Sequence, residues 1–388
     1  MVTAMQQIIR AQFIEKIDFS FRVNPVVAIL GPRQCGKTTL AKEYALHLDV
    51  PIHFFDLENP TDLARLEAPQ LALEGLNGLI VIDEIQRRPE LFPLLRVMVD
   101  QHKKRHFLIL GSASRDLIKQ SSESLAGRIS YLELTPFSYA EVEDRERLWL
   151  CGGFPQSYLA ESEQLSDAWR SAYVTTFLEQ DIPNLGITIP AHTLRRFWMM
   201  LAHYHGNIFN ASEMGQSFGA AHTTMRHYLD ILQGTFMVRV LTPWIENIKK
   251  RQIKSPKIYF RDSGIFHTLL GIKDKEMLAV NPKLGASWEG FALEEIIRYH
   301  QATTDEAYFW GVHTQGELDL LIMKEGKRLG FEFKYADAPR LTKSLQLAVE
   351  SLHLDKLTII YPGKNAYFVS EKIQVMGLAE YVLQTLVQ

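Results

Sequence analysis

One stretch near the N-terminus sets the architecture of the first part of this chain: VVAILGPRQCGKTT, residues 26–39. Five apolar residues of strand length precede a turn that fits G-x-x-x-x-G-K-[ST], and a helical segment runs from Lys37 to about His47. Glycines let backbone N–H groups wrap phosphate oxygens, and the helix N-terminus favours an anion. The stretch therefore predicts a nucleotide-binding loop made of Gly31, Pro32, Arg33, Gln34, Cys35, Gly36, Lys37, Thr38 and Thr39.

Lys37 and Thr38 have specific predicted roles in this loop. We expect Lys37 to reach the β- and γ-phosphates of ATP, and the Thr38 hydroxyl to coordinate Mg²⁺. A second apolar strand, Leu79–Ile82, delivers Asp83 and Glu84 at its carboxyl end. Asp83 suits Mg²⁺ coordination, and Glu84 suits positioning and polarising the attacking water. The predicted cofactors are therefore ATP and Mg²⁺. The alternative is that Asp83 and Glu84 are simply solvated acids at the end of a strand.

Short apolar strands alternate with helical segments up to residue 134, which is typical of a parallel α/β sheet. The remaining strands of this region are predicted at Ile52–Asp56, His106–Leu110 and Ile129–Leu134.

Two residues beside these strands are further catalytic candidates. Ser112 follows the strand that ends at Leu110, and we expect its hydroxyl to sense the γ-phosphate. Arg128 precedes the last strand, where an arginine can project into a neighbouring subunit's site as an arginine finger. Two alternatives stay open: Arg128 pairs with a nearby acid, or Arg115 is the finger.

Residues 26–134 resemble an AAA+ ATPase core. The string SLAGR (124–128), the following LTPF (134–137) and the loop GGFP (152–155) are similar to a large prokaryotic ATPase family. Its members join an AAA+ domain to a C-terminal domain of unknown function, and the resemblance covers nearly the whole chain. It implies ATP hydrolysis in a homo-oligomer, with a hexameric ring as one option.

The sequence predicts four regions. These are an AAA+ nucleotide-binding domain (1–135), a helical lid (136–190), a winged helix-turn-helix (191–262) and a PD-(D/E)xK nuclease-like α/β domain (263–388). The overall fold class is α/β, with a P-loop parallel sheet followed by these smaller parts.

Composition narrows the class of protein. Of 388 residues, 46% are hydrophobic and 22% charged, which excludes a disordered chain and a coiled-coil rod. The longest apolar runs are strand-sized, so no membrane span is predicted. Two cysteines are too few for a disulfide framework, and no export signal is visible at the N-terminus. These features predict a cytoplasmic protein.

Charge is unevenly distributed. The chain carries a net charge of −3, but residues 191–262 hold ten Lys/Arg against four acids, a net +6 that leaves −9 for the rest. A basic segment in an acidic chain indicates local anion binding, or a solvated charged face.

Asn210–Thr242 resembles a winged helix-turn-helix, whose second helix enters the DNA major groove in such folds. A lysine-rich run follows it and would contact phosphates. Docking of a protein is the alternative use of such a module. The predicted DNA-binding residues are Thr223, Thr224, Arg226, His227, Lys249, Lys250, Arg251, Lys254 and Lys257.

The segments ELDLLI (317–322) and GFEFK (330–334) resemble the PD-(D/E)xK nuclease motif, with Leu318 in place of proline. Strand periodicity points Glu332 and Lys334 to one face. Asp319 and Glu332 would share a Mg²⁺ with Glu289, or with Glu294 as its substitute, and Lys334 would activate water. The alternative is that Glu332 only forms a salt bridge with a lysine at the strand edge. A domain of this fold can also bind DNA without cleaving it.

These features together favour a homo-oligomeric AAA+ ATPase that binds and remodels DNA, branched, forked or repair-related. Two other classes remain open: an ATP-dependent signalling switch, and an ATPase that remodels protein.

Overall fold

The computed structural model describes residues 8–101, 105–112, 121, 123–246, 253–312, 316–337 and 339–383. The chain divides into two compact units. The first comprises Met1–Pro136 with Gly234–Phe236, and the second comprises Phe137–Gln233 with Met237–Gln388.

The first unit is built on a five-stranded sheet. Its strands are β1 (Val26–Leu30), β2 (Ile52–Asp56), β3 (Gly78–Asp83), β4 (Arg105–Gly111) and β5 (Ile129–Glu133). They lie in the order β2-β3-β4-β1-β5, and every neighbouring pair is parallel. All residues of β1 are buried, and because successive side chains point to opposite faces, both faces of the sheet are covered there. The predicted parallel α/β architecture is confirmed.

The helices of this unit fill the connections between the strands. They are α1 (Ala11–Val23), α2 (Lys37–Leu46), α3 (Pro60–Arg65), α4 (Pro69–Glu74) and α5 (Leu91–Gln101), and a 3₁₀ turn (Ile85–Arg87) follows β3. Apolar side chains of α5 and the strands form one core that includes Phe92, Leu95 and Phe107.

The second unit begins with short helices around a buried arginine. They are α6 (Arg145–Cys151), α7 (Pro155–Tyr158), α8 (Glu163–Thr176) and α9 (Ile182–Asn184), with a π-helical turn (Phe177–Asp181) after α8. Arg170 on α8 is fully buried and donates hydrogen bonds to Ser166 Oγ (2.5 Å), Thr268 Oγ1 (2.8 Å) and the Cys151 carbonyl (3.3 Å).

Three helices and three short strands come next. They are α10 (Ala191–His203), β6 (Asn207–Ile208), α11 (Ala211–Phe218), α12 (His222–Gly234), β7 (Val238–Leu241) and β8 (Lys257–Phe260). The strands form a sheet in the order β6-β8-β7 with antiparallel pairing. Asn210 caps α11, and Gly219 ends it with a φ of 78°, a left-handed conformation that suits glycine. We call this part of the second unit the three-helix module.

The chain ends in a six-stranded mixed sheet with flanking helices. The helices are α13 (Ser263–Leu269), α14 (Lys275–Ala279), α15 (Leu284–His300), α16 (Lys343–Leu352) and α17 (Leu378–Leu383). The strands are β9 (Ala307–Val312), β10 (Gly316–Lys324), β11 (Lys327–Phe333), β12 (Lys356–Tyr361), β13 (Ala366–Ser370) and β14 (Ile373–Gly377). Their order is β13-β14-β12-β11-β10-β9. Strands β9, β10 and β11 pair antiparallel, and β11, β12 and β14 pair parallel.

Among the helices of the described residues, none has both the length and the apolar character that crossing a membrane requires. Cys35 and Cys151 are both buried and free.

We expect Arg170→Met to lower the free energy of unfolding of the second unit by about 3 kcal/mol, because several buried hydrogen-bond partners of Arg170 are then left unpaired. All six tryptophans lie beyond residue 148, so urea unfolding followed by tryptophan fluorescence reports on this unit. The control is Lys275→Met, which removes an exposed pair with Glu146 and should leave the unfolding curve unchanged. An unchanged curve for Arg170→Met would mean that its buried contacts add nothing to stability.

Candidate functional site

The loop after β1 is shaped by two glycines. A Cβ atom on Gly31 would lie 2.2 Å from the Leu134 carbonyl oxygen, so no larger residue fits between the loop and the chain that follows β5. Gly36 has a φ of 100°, in the left-handed region, and it opens α2 directly. The loop therefore turns sharply and presents its backbone at the N-terminus of a ten-residue helix.

The other predicted loop residues differ in exposure. Gln34 and Thr39 are exposed, Pro32 is buried, and Arg33 forms an ion pair with Glu58 at 3.1 Å. Cys35 is fully buried with its thiol 3.5 Å from the Leu134 carbonyl oxygen, and burial raises the pKa of the thiol.

Lys37 lies beneath the loop. Its side chain is buried, and Nζ donates to the carbonyl oxygens of Gly31 (3.1 Å) and Pro32 (2.9 Å). The ammonium also acts to lower the pKa values of Asp83 and Glu84, which burial raises. Lys37 is thus a positive charge that acts on both acids at the end of β3.

Thr38 and Asp83 meet although they come from different elements. The Thr38 hydroxyl donates to Asp83 Oδ2 at 2.6 Å, and Asp83 Oδ1 accepts from the backbone N–H of Glu84 at 2.9 Å. A hydroxyl and a carboxylate are oxygen ligands that Mg²⁺ accepts together with nucleotide phosphates. The residues present therefore fit the Mg²⁺ that accompanies ATP.

Glu84 begins a network that the sequence does not reveal. Its backbone has φ 55° and ψ 44°, a left-handed conformation that is uncommon for glutamate and typical of functional sites. The Gln86 side-chain amide donates to the Glu84 carboxylate and, at 3.0 Å, to Ser112 Oγ. Gln86 was not predicted, and its only signal in the sequence is its place two residues after Glu84.

Arg128 is engaged within its own chain. Nε and Nη2 of its guanidinium donate to the two carboxylate oxygens of Asp100 at 2.7 and 3.0 Å. Within a single chain, Arg128 therefore pairs with a nearby acid, which is the alternative to its use as an arginine finger. Arg115, the rival finger, lies outside the described residues.

Some of the cations counted in residues 191–262 are paired with acids of the same chain. Arg239 forms a bidentate pair with Glu294, and Arg261 lies 3.6 Å from the same carboxylate. Although burial raises the pKa of Glu294, the two arginines lower it to about 2. Glu294 is therefore committed to arginines, which leaves Glu289 as the acid nearer to the nuclease-like motif.

Lys257 corrects a prediction directly. It was expected to contact DNA, but its side chain is 4% exposed and lies 3.3 Å from Asp319 Oδ1. It is the first residue of β8, and all four residues of this strand are buried. The predicted phosphate contact of Lys257 is wrong.

The other predicted DNA-binding residues fall into three groups. Thr223, Arg226 and His227 are exposed on α12, Thr224 is half-buried, and Lys254 is exposed. Lys249, Lys250 and Arg251 lie outside the described residues.

The residues of the nuclease-like motif lie around Asp319 in the second unit. Glu289 accepts from the Tyr259 hydroxyl at 2.6 Å, and Glu332 pairs with Lys334 at 2.6 Å. Burial and the neighbouring Asp319 carboxylate raise the pKa values of Glu289 and Glu332. We call Glu289, Glu317, Asp319 and Glu332 with Lys257 and Lys334 the acid–lysine cluster.

This cluster does not form the predicted metal site. Within the ranges that the structure describes, no group of three or more His, Cys, Asp or Glu side chains is arranged to hold a metal ion. A lysine or tyrosine side chain occupies one carboxylate oxygen of each of Glu289, Asp319 and Glu332. Glu289, Asp319 and Glu332, as the structure describes them, are therefore not arranged to coordinate a Mg²⁺ ion jointly, contrary to the expectation.

Comparison with solved structures gives distant likenesses. The Walker-type ATPase paby2304 of Pyrococcus abyssi aligns over 68% of this chain and 96% of its own, at 14% identity and a TM-score of 0.47. The Thermotoga maritima RuvB Holliday junction branch migration motor aligns over 61% of this chain and 90% of its own, at 17% identity and a TM-score of 0.31.

Sequence comparison gives nearer relatives. Residues 23–143 match the AAA domain family, residues 142–276 the domain of unknown function DUF8612, and residues 284–381 the domain of unknown function DUF4143. The uncharacterized proteins Rv2008c of Mycobacterium tuberculosis and Mb2031c of Mycobacterium bovis are each 47% identical over 386 residues, 97% of this chain and 86% of theirs. The chain therefore belongs to the same family as these mycobacterial proteins, and it is an ATPase whose AAA domain is followed by domains of unknown function.

Proposed function

We propose that this ATPase is a homo-oligomer that binds DNA through its three-helix module and couples ATP hydrolysis to remodelling of branched or forked DNA. The observation that carries the proposal is the exposed polar face of α12, which bears Thr223, Arg226 and His227. The same chain holds a phosphate loop, and hydrolysis of the ATP bound there would supply the free energy for remodelling DNA.

In the ATPase site each side chain has a separate task. Lys37 would exchange its loop carbonyls for phosphate oxygens, and Thr38 and Asp83 would hold Mg²⁺, which neutralises phosphate charge. Glu84 would position the attacking water, because it is the second carboxylate at the end of β3. Gln86 would hold Glu84 and Ser112 in a common orientation, since its amide contacts both.

Glu84→Gln should slow ATP hydrolysis by about 10²-fold or more while nucleotide binding is retained, because the amide cannot polarise water as a carboxylate does. Lys37→Ala should weaken nucleotide binding as well. Both are measured by phosphate release and by titration with a fluorescent ATP analogue. Glu90→Gln, which alters an exposed carboxylate paired with Arg88, is the matched control. Normal turnover by Glu84→Gln would remove Glu84 from the mechanism.

For an oligomer, we propose that Arg128 leaves Asp100 and reaches the ATP site of the next subunit. The Arg128 side chain is 36% exposed and that of Asp100 is 49% exposed, so breaking the pair costs little free energy in solvent. An arginine supplied in trans stabilises the charge of the transition state.

A mixing experiment tests this role. Arg128→Ala and Lys37→Ala should each be nearly inactive alone, but co-assembled mixtures should recover up to about a quarter of the wild-type sites, because some intact phosphate loops then face an intact Arg128. Full activity of Arg128→Ala alone would show that Arg128 only pairs with Asp100. Mixtures that recover nothing from two inactive variants would place Arg128 in its own subunit's site.

The order α10-β6-α11-α12-β7-β8 supports a winged helix-turn-helix. Met225, Leu229 and Leu232 are buried on the inner face of α12, whereas Thr223, Arg226 and His227 are exposed on its outer face. In such modules the second helix of the pair reads base edges and the β-hairpin contacts phosphate. Between β7 and β8 lies the basic run, in which Lys254 is exposed.

Protein docking is the alternative use of this module, and one observation favours it. Three of the cations that made residues 191–262 basic, Arg239, Lys257 and Arg261, are bound to acids of the same chain. The positive charge left for DNA thus depends on Arg226, Lys254, the run before Lys254, and Arg195 and Arg196 of α10, whose hydrogen-bond partners are neutral.

We expect forked DNA to bind with an affinity that falls steeply with salt, and Arg226→Ala to weaken it about tenfold, because an arginine on a recognition helix makes charged contacts. Fluorescence anisotropy across a salt series measures both effects. Arg65→Ala, an exposed arginine of the first unit, is the control. Absence of salt-dependent binding, with ATP turnover stimulated by a polypeptide instead, would favour the protein-remodelling function.

A further inference from the structure

Lys257 occupies an unusual place for a lysine. Its ammonium is buried between Glu317, with which it forms an ion pair, and Asp319 Oδ1 at 3.3 Å. The side chain also approaches the ring of Phe309, with Nζ 5.6 Å from its centroid. Removing an ammonium from water is costly unless carboxylates surround it, so these contacts are what keeps Lys257 charged.

The electrostatics of the cluster agree with this geometry. Burial acts to lower the pKa of Lys257, yet the nearby carboxylates of Asp319, Glu289 and Glu317 together raise it above its ordinary value. The surrounding carboxylates therefore favour the charged form of the lysine.

Each carboxylate oxygen of Asp319 already has one hydrogen-bond partner. Oδ1 accepts from Lys257, and Oδ2 accepts from the backbone N–H of Phe333 at 3.2 Å. By contrast, Oε2 of the buried Glu332 has no hydrogen-bond partner among the described atoms. The cluster thus keeps one unsatisfied oxygen, on a carboxylate that already pairs with the Lys334 ammonium.

We propose that Lys257 is the built-in cation of the acid–lysine cluster and that it excludes divalent metal ions from it. The lysine contacts the Asp319 carboxylate, which the nuclease-like motif would use to hold a metal. The cluster then joins β8 of the three-helix module to β10 of the mixed sheet, and it provides no metal-activated water. This inference depends on neither ATP hydrolysis nor DNA binding.

Manganese titration of the full chain tests the proposal, with bound Mn²⁺ followed by loss of the free-ion electron paramagnetic resonance signal. Every protein carries Asp83→Asn, so that the phosphate loop contributes no metal site. We expect the protein with Lys257 and its Asp319→Asn derivative to give identical curves. A Mn²⁺ ion that binds in the presence of Lys257 and is lost with Asp319→Asn would overturn the proposal.

Lys257→Met is the second arm. It should add one Mn²⁺ site per chain, at least about tenfold tighter than any residual binding, because a repelling charge about 3–4 Å from the carboxylate has gone. Adding Asp319→Asn should abolish the new site, and Lys254→Met, an exposed lysine three residues away, should create none. A folded Lys257→Met protein that gains no site would show that the lysine is not what excludes the metal. If Lys257→Met fails to fold, the proposal is still tested by the Mn²⁺ titration of the protein with Lys257 against its Asp319→Asn derivative.

Discussion

The nucleotide site depends on one geometric constraint, the parallel arrangement of β1, β4 and β3. Parallel strands bring their carboxyl ends to one edge, where the loop after β1 and the acids after β3 emerge on either side of β4. The Thr38–Asp83 hydrogen bond at 2.6 Å spans this gap. Because β1 and β3 are buried, neither end can shift without disturbing the core, and the site is held in place before any ligand arrives.

In the second unit, a different constraint dominates: buried charges must find partners. Arg170, Glu294 and Lys257 are all inside the protein, and each is bound to groups from distant parts of the chain. These contacts join the helices after β5, the three-helix module and the mixed sheet. They also remove cations from the surface, which weakens the argument from net charge to nucleic-acid binding.

Local patterns were sufficient for most of the first unit. The strand beginning at Val26, the loop and α2 could be predicted because glycine spacing and apolar runs reflect backbone geometry and burial. Neither Gln86 nor the identity of Asp100 as the acid that pairs with Arg128 could be predicted, since a polar side chain two or 28 residues from its partner leaves no periodic signal. The role assigned to Lys257 failed for a related reason: a lysine after a basic run looks exposed until the strand that carries it is placed.

The sequence by itself determined the parallel α/β core, the phosphate loop and the acids that accompany it, because these follow from short-range patterns of burial and glycine conformation. The two-residue period of a β-strand also predicted that Glu332 and Lys334 lie on the same strand face. Only the tertiary structure decided which charges are free and which are neutralised within the chain. Burial and long-range pairing, from Lys257 to Asp319 and from Arg239 to Glu294, depend on how distant segments pack, and composition cannot reveal that.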